Sequence, residues 1–156
     1  AADPTIPATA HALYTIEGRG VQIYNCEQQN GTFQWTFKAP EAKLFDPATQ
    51  KQVATHGAGP TWTWEDGSSI SGEVMAKSPS PDAGSIPWLL LEAQPVVAEA
   101  GHASKGALSM VTRVRRSETH GGNPPASGCD ASRTGATVRV PYTATYTFYA
   151  ALDSMP

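Results

Sequence analysis

The sequence predicts one antiparallel all-β domain, a β-sandwich or a flattened β-barrel with long loops and little helix. Three observations carry that reading. Short stretches alternate apolar and polar residues with a period of two, as half-buried strands do. Turn formers separate them, with 14 Gly and 13 Pro in the chain. No repeat, heptad pattern or domain linker interrupts the series. At 156 residues the chain fits one domain and can bury a core. Residues 1–11 are read as an N-terminal arm because Pro4 and Pro7 stand there without periodicity. Residues 12–156 are read as the domain.

The elements follow in order. Ala12–Ile16 is a short strand that Gly18 and Gly20 break. Val21–Glu27 is the next, with Val21 and Ile23 on one face and Tyr24 and Cys26 on the other. Asn30-Gly31 is a strong hairpin signal, since both residues tolerate positive φ. The return strand places Phe33, Trp35 and Phe37 on one face, which is expected in the core. Pro40 interrupts. Ala42–Phe45 and Gln52–Thr55 are short strands joined by a turn at Asp46-Pro47.

The segment His56–Gly72 concentrates a histidine, two tryptophans, two carboxylates and an Asp66-Gly67 turn. Alternation there puts Trp62 and Trp64 opposite Thr61 and Thr63. Ser78–Ser85 is a loop by composition. Ile86–Leu91 is apolar throughout and suits a buried strand or a short helix. Val96–Gly106 is a helical turn or a loop. Ala107–Arg116 alternates, with Leu108, Met110, Thr112 and Val114 facing one way. Glu118–Ser132 is the longest irregular stretch, and a loop that long is usually functional or pinned. Thr137–Tyr149 is a long strand with Val138, Val140, Tyr142, Ala144, Tyr146 and Phe148 on one face. Pro141 lacks an N–H, so an edge or a bulge is expected there.

Composition limits the function classes. A net charge of −3 gives no electrostatic reason for a nucleic-acid partner. Arg113, Arg115 and Arg116 form the only basic concentration and read as a solvated strand region. The longest apolar run, Ile86–Leu91, is far shorter than the ~20 residues that span a bilayer, so membrane insertion is not expected. The start Ala1-Ala2-Asp3-Pro4 resembles a terminus left by processing, and a secreted protein is expected. Cys26 and Cys129 pair if the compartment is oxidising, and otherwise are two buried thiols. Asn30-Gly31-Thr32 is a glycosylation sequon on a predicted turn, which makes Asn30 the acceptor.

The stretches GVQIYNC, FKAPEAKL, HGAGPTW, DGSS, IPWLLLEA, TRVRRSETHGGNPP, GC and VPYTATYTFY occur together in this order. In them the chain resembles, from about Ala12 to Ala150, a family of mostly secreted bacterial and fungal proteins known as a domain of unknown function. Some fungal members carry a malate-dehydrogenase-like label. The resemblance implies little about activity. NAD-dependent dehydrogenase chemistry is not expected here. A dinucleotide site needs Gly-x-Gly-x-x-Gly between a strand and a helix, whereas Gly18-Arg19-Gly20 lacks the third Gly and runs into a strand.

Candidate chemistry is weighed residue by residue. Sugar sites stack a ring on an aromatic face and hydrogen-bond its hydroxyls. Trp62 or Trp64, with His56, Asp66, Asn123 and Tyr142, has that character. A secreted module for carbohydrate or cell-surface glycan is therefore the leading reading. No cofactor is required by it. The alternative is a Cu- or Zn-dependent redox or hydrolytic protein, if folding unites His56 and His120 with Asp66 or Glu65. No Gly-x-Ser-x-Gly marks a serine hydrolase. A glycosidase would draw two carboxylates from Glu65, Asp66, Glu73 and Glu92. A structural or interaction protein of wall or matrix is the remaining reading.

Overall fold

The structure is a computed structural model that describes residues 10–96 and 106–151. These residues form eight strands: β1 (Ala10–Gln29), β2 (Thr32–Phe45), β3 (Gln52–Gly57), β4 (Thr61–Trp64), β5 (Ser69–Ser78), β6 (Trp88–Pro95), β7 (Arg113–Gly121) and β8 (Thr137–Ala151). Each strand pairs antiparallel with the next, and β8 returns to pair with β1, so one sheet closes on itself as a ring. The all-β expectation holds, and the closed alternative is the one adopted. Helix among the described residues is a single 3-10 turn, Ala131–Arg133.

Several strands run through residues expected to break them. β1 is continuous across Gly18 and Gly20. These glycines permit close approach instead. A Cβ on Gly18 would lie 2.7 Å from the Tyr146 ring. One on Gly20 would run into the Glu41 carbonyl and the Ala42 Cα. β2 likewise continues through Pro40, because Lys38 bulges out of register between Phe37↔Tyr24 and Ala39↔Ile23. The expected arm overlaps the described chain at Ala10 and His11, which already belong to β1. Asn30 and Gly31 form the β1–β2 turn with φ of 53° and 83°. Pro141 pairs with Val21 of β1, while β7 has ended one residue away at Gly121↔Tyr142. It thus stands at a local edge, as its missing N–H requires.

Other boundaries shift. Glu118–Gly121 belong to β7, so the irregular stretch begins at Gly122. Glu118 lies at a β7 bulge with φ of 50°. Residues 107–110 form turns rather than strand, leaving Met110 exposed while Leu108 and Val111 are buried. Most of the predicted turn or loop over Val96–Gly106, including His102, lies outside the described residues.

The core is built around Trp62 and runs from Leu44 and Phe148 to Ile86 and Tyr142. Trp62 stacks on His56, with centroids 4.4 Å apart, and meets Tyr146 and Phe148 edge-on. Trp64 packs on Tyr14 and Phe148. A plug closes the Trp64 end. The Asp66 carboxylate accepts the Ala107 N–H at 2.8 Å, and the Ser68 hydroxyl accepts the Leu108 N–H at 3.1 Å. These bonds seat Leu108 and Val111 in the core.

Phe33, Trp35 and Phe37 do face the inner side, since their partners Gln28, Cys26 and Tyr24 include the buried Cys26 and Tyr24. They are not core, however. The β1–β2 hairpin reaches past the short β3 and β4, so those two strands do not cover them. Phe37 is 51% exposed, and Phe33 and Trp35 are only half-buried. The loop after β7 gives Trp35 partial cover, and its indole N–H donates to the Ser127 carbonyl at 3.0 Å. That loop is pinned by the Cys26–Cys129 disulfide, with Cα atoms 5.3 Å apart.

Candidate functional site

An up-and-down ring has two ends. Asp66, the β2–β3 turn and the plug occupy one. The hairpin tip, the β3–β4 loop and the loop after β7 share the other, so His56–Pro60 and Glu118–Pro125 lie at the same end, as expected. At this end the wall has a window. β2 pairs with β3 only from Ala42 onward, and β5 pairs with β4 only up to Ser71. Phe37, Lys38 and Pro40 of β2 therefore face Val74 of β5 across a gap, with Gly59 and Pro60 above it. Behind the gap is a cavity of about 370 Å³ whose walls include Trp62, Leu89, Leu91 and Tyr146. A larger, shallower space of about 820 Å³ adjoins it beneath the hairpin, lined by Tyr24, Met75 and Ile86. Gln22, Phe37, Val74, Leu89 and Arg116 border both spaces.

The polar groups of this cavity have a common character. The His56 Nδ1–H donates to the Thr61 carbonyl at 2.8 Å, which leaves Nε2 as the acceptor of a neutral ring. Burial drives that ring's pKa down to about 4. Tyr142 and Tyr146 share a hydroxyl–hydroxyl bond of 2.9 Å, and burial raises both phenols above their ordinary range. Arg116 donates through Nε and Nη2 to the Pro87 carbonyl at 3.1 and 2.7 Å and lies within reach of the Tyr146 hydroxyl. Gln22 is 2% exposed, and its Nε2 has no partner among the described residues. The Trp62 Nε1 is buried and equally unpartnered.

The residues singled out from the sequence disperse over this frame. His56, Trp62 and Tyr142 are interior, and His56 and Trp62 line the cavity. Trp62 is 1% exposed, so it forms a wall and not a surface platform. Trp64 belongs to the opposite, plugged end. Asp66 binds Ser68 and the plug, and the Ser68 hydroxyl bond holds its carboxyl below the usual range. Asn123 is exposed and donates to the Gly84 carbonyl. His120 points outward and pairs with Asp82 at 3.0 Å. The structure therefore does not bring His56 and His120 together, although their loops share an end. Among the described residues, no three His, Cys, Asp or Glu side chains cluster as metal ligands.

Two residues of the cavity escaped the sequence reading. Arg116 was grouped with Arg113 and Arg115 as solvated, yet it alternates with Val114 onto the inner face of β7. Gln22 shares the inner face of β1 with Tyr24 and Cys26. In both cases the period-two pattern, carried one step further, marks the position. Gly18-Arg19-Gly20 lies inside β1 with no helix after it, so no dinucleotide turn exists there.

No helix of the described residues is long and apolar enough to cross a membrane. Comparison with curated proteins and with solved structures yields no match. A family match spans residues 7–150, nearly the whole chain. On that match the chain belongs to the family described as protein of unknown function (DUF3455).

Proposed function

We propose that this protein is a binding module that takes a small, largely apolar molecule into the windowed end of its ring. The observation that carries the reading is the cavity of about 370 Å³ behind a mouth edged by exposed Phe37 and Val74. Eight-stranded rings are wide enough to hold one small ligand, and ligand pockets of this kind start near 300 Å³. The other end is plugged, so the window is the way in.

Binding is favoured over catalysis by the lining. Among the described residues no Ser, Cys, Asp or Glu lines the cavity beside His56, so they assemble neither a nucleophile–base pair nor paired carboxylates there. A disulfide spanning 103 residues supports an oxidising, extracellular setting. Asn30 is exposed on the hairpin turn and available to a glycosyltransferase. Glycan remains the competing ligand class from the sequence, but the buried Trp62 does not offer it a stacking surface.

The test is a titration of the full chain with 8-anilinonaphthalene-1-sulfonate beside a panel of oligosaccharides. The dye should brighten on binding and quench Trp62. Val74→Trp, placed at a half-exposed position on the rim, should abolish that response without lowering the melting temperature. Dye binding that Val74→Trp leaves intact, or heat from oligosaccharides alone, would overturn the proposal.

A further inference from the structure

The cavity's charges say more about its occupant. Resting on the binding reading above, we infer that the ligand is an anion: an apolar monocarboxylate whose head meets Arg116 and Gln22 while its tail lies along Trp62, Leu89 and Leu91.

Three observations converge. The first is the guanidinium of Arg116. It is half-buried, borders both interior spaces, and takes part in none of the ion pairs among the described residues. Its bonds to the Pro87 carbonyl use a neutral acceptor and only part of its five N–H groups. A cation so placed is poorly compensated, and a carboxylate is the acceptor that suits it.

The second is the surplus of donors. Gln22 Nε2 and Trp62 Nε1 are buried side-chain donors without partners among the described residues, and both residues line the cavity. Leaving such groups unmade is costly, and a ligand rich in acceptors relieves the cost. The third is the sign of the rim. Lys38 borders the inner space and Lys77 the outer one, while no Asp or Glu among the described residues lines either. In a chain of net charge −3, a basic, acid-free mouth is a local reversal that draws anions in. The apolar walls set the rest of the ligand, and Phe37, Val74 and Met75 at the entrance would cover the tail as it passes.

Calorimetry on the full chain compares octanoate with octan-1-ol, and 3-phenylpropanoate with 3-phenylpropan-1-ol. Each acid should bind roughly tenfold to a hundredfold more tightly than its alcohol, the range of one charge-assisted hydrogen bond. Arg116→Met should bring acid and alcohol to near parity. Gln22→Leu should narrow the preference partway and serves if Arg116→Met fails to fold. Equal affinity of acid and alcohol for the unaltered protein overturns the anion inference and leaves the binding module standing. An acid preference that survives both substitutions overturns the assignment to Arg116 and Gln22. No binding of acids or alcohols, with no dye response either, overturns both readings together.

Discussion

Acidification should destabilise this protein through one side chain, His56. The residue is 6% exposed, its ring is stacked on Trp62 and beside Tyr146, and burial depresses its pKa from 6.5 to about 4. Among the described residues no carboxylate lines the cavity beside it to favour the charged form, and Arg116 opposes it. The unfolded chain takes up the proton near pH 6.5, whereas the folded chain does so only near pH 4. Between those values the unfolded state binds more protons, so stability falls as pH falls. The contribution is fully present above pH 6.5 and lost by about pH 4. A depression of that size corresponds to about 3 kcal/mol, a large share of a typical total of roughly 5–15 kcal/mol. Urea unfolding at pH 7, 6, 5 and 4 measures it, with His56→Phe as the reference. Phe keeps the stacking shape and does not titrate. Carboxylates titrate alike in both proteins, so the difference between the two stability curves isolates His56. That difference should move by about 3 kcal/mol between pH 7 and pH 4, against the histidine protein. Parallel curves, or a His56 resonance titrating near pH 6.5, would refute the buried, neutral ring.

Three further outcomes follow from the packing. Replacing Cys26 and Cys129 by Ala opens a loop of 103 residues and should cost up to about 4–5 kcal/mol in denaturant unfolding; an unchanged midpoint would mean that the late loop is held by other contacts. Trp62→Ala should cost about 3–5 kcal/mol, as core aromatics do, and the half-buried Trp35→Ala distinctly less, about 1–2 kcal/mol. Equal losses would show that the hairpin is packed as tightly as the core. Gly20→Ala should prevent folding or lower the melting temperature sharply by circular dichroism, because the added methyl meets β2 backbone; a wild-type melt would mean that β1 and β2 are farther apart.

Local signals were legible and non-local ones were not. The β8 alternation and the Asn30-Gly31 turn are properties of a few neighbouring residues, and each reappears in the structure; the Cys26–Cys129 pair was legible for another reason, since two cysteines allow one pairing. Closure depends on β1 meeting β8 from the far end of the chain, and no short pattern announces that. Phe33, Trp35 and Phe37 show why a face is not a burial. Period two reports which side a residue takes, and strand lengths elsewhere decide whether anything covers that side. Gly18 and Gly20 misled for a related reason: they look like breakers in one strand, but their hydrogens make room for Tyr146 and β2. The candidate site was half legible. His56 and Trp62 drew notice as chemically rich residues, whereas Arg116 was hidden by its basic neighbours.

The unequal strands also explain why the window stays open. β3 has 6 residues and β4 has 4, against 14 in β2 and 10 in β5. The lower parts of β2 and β5 therefore lack a strand neighbour on the window side, and such edges invite pairing with another chain. Each edge carries features that oppose this. Pro40 supplies no N–H, the Lys38 bulge spoils the register of β2, and β5 bulges between Val74 and Ala76. Glu73 and Lys77 add charge to β5. Bridging the gap by β-pairing would require undoing both bulges and burying those charges. The opening is thus maintained by the same residues that border it, and Lys38 serves twice: it spoils the β2 edge and gives the mouth its positive charge.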